Sequence, residues 1–87
     1  MINNELLLKQ NPKSIELGIA NRLRQIRKAI KISQAQLAND TGVSLGSIRR
    51  FEKTGLISLS SLIKISRRLD ALDEMENLFT YKLSLLK

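Results

Sequence analysis

The segment SQAQLANDTGVSLGSIRRFEKTG, residues 33–55, contains start and stop signals for two short helices in close succession. Ser33 followed by Gln36 has the capping-box spacing that opens a helix, and Gly42 favours the left-handed conformation that ends one. A second helix can begin directly afterwards with Ser44 as its cap, and it stops at the Thr-Gly pair that closes the segment. Two helices of about two turns, joined by a short turn that contains glycine, predict a helix-turn-helix unit.

A long amphipathic pattern precedes this unit. Residues 15–31 carry apolar side chains at spacings of three and four, which indicates a first helix, and Pro12 and Ser14 are suitable starting residues. Its apolar stripe is Ile15, Ile19, Leu23, Ile26 and Ile30. The opposite side carries Arg24, Lys28 and Lys31, which we interpret as solvated surface rather than as ligand contacts.

Two further helices are predicted after the unit. Ser58 is suited to open a fourth helix, and Asp73 with Glu76 has the capping-box spacing of a fifth, near 73–79. The buried stripe predicted for the fourth helix is Leu59, Leu62, Ile63 and Leu69. The fold class is therefore all-α, with five helices around one core.

The last residues change period. Phe79, Tyr81, Leu83 and Leu85 alternate with polar residues, which favours a strand. Continuation of the fifth helix is the alternative, because the leucines of the tail also fit helical spacing. A strand would need a partner, either the N-terminal ELLL segment or the same strand of a second copy. These four apolar side chains are thus predicted to contact a second copy or another partner.

The composition restricts the function. Histidine and cysteine are absent, and the four acids within residues 1–69 are scattered, so we see no catalytic constellation, no metal site and no cofactor site. Residues 1–69 have a net charge of +9 and residues 70–87 a net charge of −2, which is typical of a polyanion-binding domain with a differently used tail. We find no signal peptide or membrane span. We therefore expect a cytoplasmic protein that is not an enzyme, has no small-molecule substrate and does not bind membranes.

The exposed face of the helix at 44–54 carries unusually small side chains ahead of Arg50. On a helical wheel, Ile48 and Phe51 point inward, whereas Gly46 and Arg50 point outward. Glycine and serine are poorer helix formers than the Glu, Lys or Gln usual on solvated helices. This choice favours a face that a ligand approaches closely, with Arg50 at its centre.

The same residues resemble a known family. The pattern of Gln34, Leu37-Ala38, Gly42, Val43, Ser44, Ile48 and Glu52 is similar to that of Cro/CI-type (XRE-family) helix-turn-helix proteins, and the likeness extends over about residues 17–72. The resemblance implies a five-helix domain whose third helix enters the major groove of double-stranded DNA. It divides the chain into an arm at 1–13, a DNA-binding domain at 14–79 and a dimerisation or partner-binding tail at 80–87.

The resemblance and the helical wheel together suggest the contacting residues. Base contacts are expected from Ser44, Leu45, Gly46, Ser47 and Arg50, with Arg50 reading guanine and Leu45 touching a thymine methyl. Phosphate contacts are expected from Ser33, Gln34, Arg49, Lys53, Thr54, Gly55 and Ser58. The resemblance also implies a structural salt bridge between Arg27 and Glu52, and it implies that Gln34 props the third helix besides contacting phosphate.

Three functions are consistent with these features. The first is a sequence-specific transcriptional regulator, a repressor by preference, that binds DNA as a homodimer. The second is an antitoxin, because residues 51–79 resemble the family branch that accompanies kinase-type (HipA-like) toxins; such a protein would also hold a toxin and regulate its own operon. The third is a module with only non-specific affinity for nucleic acid.

Overall fold

The structure is a computed structural model that describes residues 11–87. The predicted all-α fold is confirmed: within these residues the chain forms helices and no strand. The helices are α1 (Pro12–Ala29), α2 (Gln34–Thr41), α3 (Leu45–Thr54), α4 (Leu59–Arg68), α5 (Leu72–Glu76) and α6 (Thr80–Ser84). Most of the predicted N-terminal arm and the ELLL segment lie outside the described residues, and α1 already begins at Pro12.

Serine caps start the three central helices, as predicted. The hydroxyl oxygens of Ser33, Ser44 and Ser58 each accept a hydrogen bond from the backbone N–H three residues ahead, at 3.0–3.1 Å. These bonds satisfy donors that the first helical turn leaves unpaired. The capping box at Ser33 is one-sided, because the Gln36 side chain donates to Asp40 instead of reaching back to the cap.

The capping box predicted for the fifth helix is wrong. The structure begins α5 at Leu72, after Ala71, and no side chain caps it. Asp73 lies inside the first turn, where its negative charge still favours the helix N-terminus through the helix dipole.

The predicted C-terminal strand is also wrong. Residues 80–84 form the short helix α6, whose first turn is closed by a 3.0 Å bond from the Leu83 N–H to the Phe79 carbonyl. No described segment offers a strand for pairing, so local helical bonds satisfy the backbone instead. The alternative of one continuous fifth helix is wrong too, because Phe79 adopts a left-handed conformation with φ of 67° between α5 and α6.

A single core joins α1 to α4. It consists of Ala20, Leu23, Leu37, Val43, Ile48, Phe51, Ile65 and Leu69. α1 packs most extensively on α3, and α2 packs on both α3 and α4. None of the helices within residues 11–87 is long and apolar enough to cross a membrane.

The predicted stripe of α4 is only partly correct. Leu69 is buried and Leu62 is half-buried, but Leu59 and Ile63 are exposed, Leu59 by 65%. Ile65 and Ser66 are buried instead. Helical spacing allows both stripes, and the position of α2 beside α4 selects the one that includes Ile65.

Two glycines end helices in the left-handed conformation; the sequence predicted this conformation for Gly42 and only the end of the helix for Gly55. Gly42 has φ of 77° and Gly55 has φ of 79°. A Cβ at Gly42 would meet nothing within 4 Å, whereas a Cβ at Gly55 would lie 2.8 Å from the backbone carbonyl carbon and the Cβ of Glu16. Gly55 therefore lets the end of α3 touch the backbone of α1.

This difference predicts unequal costs for two alanine substitutions. Gly42→Ala should lower the free energy of unfolding by about 1–2 kcal/mol, the cost of a left-handed Cβ. Gly55→Ala should lose a further ~1–3 kcal/mol, because the new methyl overlaps the α1 backbone. Urea unfolding of both variants measures the difference. Equal losses would show that α1 moves aside at no cost.

Candidate nucleic-acid interface

Helix α3 is divided lengthwise into a buried and an exposed face. Ile48 and Phe51 are buried against the core. The exposed face carries Gly46, Ser47, Arg49, Arg50 and Lys53. Leu45 is half-buried at the start of the helix, so it offers only part of its side chain to a ligand.

The carboxylate of Glu52 anchors α3 to the two helices before it. Arg27 of α1 donates to it from Nε to Oε2 at 2.7 Å and from Nη2 to Oε1 at 3.0 Å. Gln34 Nε2 of α2 donates to Oε1 at 2.9 Å. Arg27 Nη1 also donates to the Ile32 carbonyl at 2.8 Å, and Arg24 Nε lies 3.8 Å from Oε1. The side chains of Arg27 and Glu52 are only 9% and 7% exposed.

This network determines the charge state of Glu52. Burial alone would raise the pKa of its carboxyl, but the hydrogen bonds from Arg27 and Gln34 and the charges of Arg27 and Arg24 outweigh it, so the pKa is lowered. Glu52 is thus held as an anion. The structure places Arg27 and Glu52 together as the resemblance implied, and the bond from Gln34 to Glu52 props α3 as the resemblance also implied.

One flank of α3 forms a shallow basic depression. A cavity of about 230 Å³ is lined by Arg24, Gln34, Arg49, Glu52 and Lys53. It combines cations of α1 and α3 with the amide at the start of α2. Arg24 was interpreted from the sequence as solvated surface, and only the docking of α1 beside α3 brings it to this flank.

The other flank lies between α3 and the start of α4. A cavity of about 210 Å³ is lined by Ser47, Arg50, Leu56, Ile57, Ser58 and Ser61. It therefore combines one guanidinium and the Ser47 hydroxyl of α3 with two hydroxyls at the N-terminus of α4, where unpaired backbone N–H groups favour anions. Arg50 lies at the border of this cavity and the exposed face of α3. Ser61 was not predicted, because it lies one turn inside α4.

Two predicted contact residues are occupied within the chain. The Gly55 N–H donates to the Phe51 carbonyl at 2.8 Å and the residue is buried, so its amide is not available to a phosphate. Ser44 caps α3 and also donates its hydroxyl to Ser47 Oγ at 2.8 Å. Of these two serines, Ser47 is therefore the one with a hydroxyl hydrogen left for a ligand.

The end of α3 is tied down by contacts that the sequence pattern did not suggest. The Lys13 ammonium of α1 donates to the Thr54 carbonyl, where a cation also complements the C-terminal end of the helix dipole. The Thr54 hydroxyl donates to the Arg50 carbonyl at 2.7 Å and accepts from the Leu56 N–H at 3.2 Å. Thr54 is thus mainly a closing residue of α3.

Gly46 has no structural reason to be glycine. A Cβ at this position would meet nothing within 4 Å, and its φ is not positive. Alanine would be a better helix former there by up to about 1 kcal/mol. The bare backbone at the centre of the exposed face is therefore not required by the fold.

A second group of cations lies away from α3. Lys64, Arg67 and Arg68 of α4 line a cavity of about 420 Å³ with Asp40 and Thr41 of α2. Arg68 Nε lies 2.7 Å from Asp40 Oδ2, and hydrogen bonds from Arg68 and then Gln36 lower the pKa of that carboxyl. Since the cavity contains no residue of α3, Arg67 provides a cation suitable as a control for DNA-binding experiments.

Comparison with known proteins gives consistent results. A family profile described as "Helix-turn-helix" matches residues 23–75, which contain α2, α3 and α4 in full. The chain is also similar to the cryptic phage CTXphi transcriptional repressor RstR of Vibrio cholerae serotype O1, strain ATCC 39315 / El Tor Inaba N16961, with 41% identity over 61 residues. The match covers 68% of this chain and 54% of that repressor, so the chain spans about half of its relative's length. No solved structure matches significantly.

The anchoring role of Glu52 predicts both a stability loss and a pH dependence. Glu52→Gln leaves Arg27 buried without its counter-charge and should lower the free energy of unfolding at neutral pH by about 3–5 kcal/mol. Because the folded-state pKa is lowered, the contribution of Glu52 is complete above the ordinary carboxyl pKa of about 4.3. It is lost as the pH falls through the folded-state value.

Urea unfolding from neutral to acidic pH should therefore show a smaller decline in Glu52→Gln than in the wild type. The Asp40 carboxyl, which is held by Arg68, is unchanged in Glu52→Gln. Part of the acid sensitivity should therefore remain in that variant. An equal decline in wild type and Glu52→Gln would assign the whole effect to other carboxyls.

Proposed function

The chain belongs to the helix-turn-helix family of Cro/CI-type (XRE-family) proteins, and from this membership we propose that it is a sequence-specific regulator of transcription that binds double-stranded DNA. We propose a repressor in particular, since its relative in Vibrio cholerae is named a transcriptional repressor. The observation that carries the proposal is the exposed face of α3, where the backbone is bare at Gly46 and a basic depression lies on each side.

The cations of this face have no counter-charge in the described part of the chain. Within residues 11–87, Arg49, Arg50 and Lys53 form no ion pair, although Arg27 and Arg68 do. Unpaired cations on one face increase the affinity for phosphate through release of condensed counterions. A helix fits the width of the major groove, so the two depressions would meet the DNA backbone while α3 lies in the groove.

Base contacts would be few. Arg50 is the one long side chain suited to bidentate contact with guanine O6 and N7. Ser47 can donate its hydroxyl, and the exposed part of Leu45 can touch a thymine methyl. Gly46 reads no base, but it allows the helix backbone to approach the base edges closely. Each good bidentate contact contributes about 1–3 kcal/mol of discrimination.

Phosphate contacts would come from both flanks. Gln34, Arg49, Lys53 and Arg24 line one depression, and the capping end of α4 with Ser58 and Ser61 lines the other. Ser33 directly precedes Gln34 and is exposed at the start of α2. These contacts fix the position of the helix on DNA without reading sequence.

A homodimer follows from the small number of base contacts. One short helix with a single strong reader discriminates weakly, whereas two copies on half-sites about one helical turn apart combine their discrimination.

An antitoxin that also holds a toxin is the second candidate, and the exposed apolar tail supports it. Copurification with the product of a neighbouring gene would favour that candidate.

The first DNA-binding prediction concerns Arg50. We expect the wild-type protein to prefer DNA from upstream of its own gene over scrambled DNA, and Arg50→Ala to lose about 1–3 kcal/mol of that preference per half-site. The slope of log affinity against log salt should change little, because the lost contact is to a base. Arg67→Ala, which removes the same charge from α4, is the control and should keep the preference.

Two results would contradict this assignment. If Arg50→Ala lowers the salt slope by about one unit and affects both DNAs equally, Arg50 contacts phosphate. If the wild type itself binds both DNAs equally, the chain is a non-specific module and the proposed regulator is wrong.

The second DNA-binding prediction concerns Gly46. Gly46→Ala should raise the free energy of unfolding by up to about 1 kcal/mol through helix propensity. It should also weaken specific DNA binding by about tenfold or more, an effect of ~1.4 kcal/mol, because the methyl separates the backbone from the bases. Gly18→Ala in α1 is the control, since its Cβ would meet only the movable Arg22 guanidinium. A Gly46→Ala variant that is more stable and binds equally well would show that DNA does not approach this backbone.

A further inference from the structure

An apolar cavity lies beside the first turns of α1. It has a volume of about 330 Å³, and its lining includes Ile19 of α1, Phe51 of α3, Leu56 of the following turn, and Leu59 and Leu62 of α4. Leu56 is 42% exposed and Leu59 is 65% exposed. Residues 11–87 therefore leave this surface, which we call the α1–α4 cavity, largely uncovered. An apolar surface of this kind on a small domain marks an interaction site.

The chain enters α1 at the edge of the α1–α4 cavity. The Lys13 ammonium, in the first turn of α1, donates to the carbonyl of Thr54, and Thr54 directly precedes Gly55, which lines the cavity. Glu16 also lines the cavity and lies only about 8 Å along the helix from Asn11. Whatever precedes Asn11 therefore starts close to this surface.

Three consecutive leucines, residues 6–8, lie just before this point in the sequence. They are outside the described residues, and the tail that could have paired with them as a strand is helical. A chain spans at most about 3.3–3.6 Å per residue, so the leucines can lie up to ~10–18 Å from Asn11. This range includes the stretch of α1 that lines the α1–α4 cavity. It excludes the far end of the other apolar groove at Ile26, which is roughly 22 Å along α1 from Asn11.

We propose that residues 6–8 of the same chain bind in the α1–α4 cavity and cover Leu56 and Leu59. Leucine side chains match the apolar lining, and a short segment attached beside the cavity loses less freedom on binding than a separate molecule does. Within residues 11–87, Glu16 forms no ion pair. Lys9 directly follows the leucines, so the bound segment brings a cation towards this carboxylate.

The bound segment would also contact the turn between α3 and α4. Leu56 and Ile57 line both the α1–α4 cavity and the flank that contains Arg50 and Ser58. The leucines would thus support the turn that carries the start of α4. A benefit for DNA binding would rest on the proposed function, whereas the binding of the leucines in the cavity does not, and its test uses no DNA.

Thermal unfolding of the full chain tests the proposal first. Leu6→Ser, Leu7→Ser and Leu8→Ser together should lower the unfolding midpoint by about 5–10 °C, because the apolar lining loses its cover. Circular dichroism should show the same helix content as in the wild type. A leucine variant as stable as the wild type would overturn the proposal.

The matched control changes three polar residues of the same N-terminal stretch. Asn3→Ser, Asn4→Ser and Gln10→Ser together should leave the midpoint unchanged, since none of them supplies an apolar side chain to the cavity. A control variant that loses as much stability as the leucine variant also overturns the proposal, because the effect would then not depend on the leucines.

Leu59→Ser tests whether the cavity is the place of binding. Its loss of stability should be less than half as large in the chain that already carries the three serines as in the wild type, because residues in contact are coupled. Ile63→Ser is the control on the same helix. Ile63 is 40% exposed and lines neither apolar cavity, so its loss should be the same in both chains. Additive losses for Leu59→Ser would place the leucines elsewhere and overturn the proposal.

A disulfide identifies the chain that makes the contact. The protein has no cysteine, so Leu59→Cys can be combined in turn with a cysteine at each of positions 6, 7 and 8. Oxidation of the dilute protein should give a disulfide within one chain for at least one pair. Ile30→Cys is the control for Leu59→Cys, because Ile30 lies roughly 28 Å along α1 from Asn11 and should form no bond.

Two results of the oxidation contradict the proposal. A disulfide that joins two chains would make a second copy the occupant of the cavity. No disulfide for any of the three pairs would exclude the contact. Loss or absence of sequence-specific DNA binding would leave all of these outcomes unchanged, so a failure of the proposed function is distinguishable from a failure of this proposal.

Discussion

The position of α3 depends on one buried carboxylate. Glu52 accepts hydrogen bonds from Arg27 of α1 and Gln34 of α2, so three helices meet at a single side chain. Apolar contacts at Ile48 and Phe51 attract α3 to the core without direction, whereas the bidentate arginine pair has a defined geometry. The pair therefore sets the rotation of α3 about its own axis, and this rotation decides which residues face outward.

The two faces of α3 meet opposite requirements. On the inner face, Gly55 and Glu52 are needed by the fold: the first because α1 leaves no space for a Cβ, the second because it neutralises Arg27. On the outer face, Gly46 has free space and an ordinary backbone conformation. It lowers helix stability although the fold does not require a glycine there. Stability given up at a surface position is typical of residues selected for an external partner.

The charge and apolar surfaces of the molecule are separated in the same way. The unpaired cations of α3 lie beside the helix starts at Ser33 and Ser58, where anions are favoured, while the two exposed aromatic side chains, Phe79 and Tyr81, lie in the tail. A domain of this length buries only a modest share of its apolar surface by itself. Under our proposal the first surface meets DNA, and a homodimer would combine the discrimination of two such surfaces.

The sequence by itself determined the features that depend on neighbours within about four residues. The serine caps at Ser33, Ser44 and Ser58, the glycine ends of α2 and α3, and the inward position of Ile48 and Phe51 all result from local hydrogen bonds, backbone sterics and helical period. The family pattern added the pairing of Arg27 with Glu52. Local signals failed at the fifth helix and the tail, where Asp73 has the right spacing but does not cap, and alternating residues have no strand to pair with.

Only the tertiary structure decided what depends on packing. It selected Ile65 over Ile63 as the buried side of α4, because α2 packs on one of two equivalent stripes. It brought Arg24 and Ser61 to the flanks of α3. Residues far apart in the chain set these outcomes, and a periodicity in one helix contains no information about which neighbour will cover it.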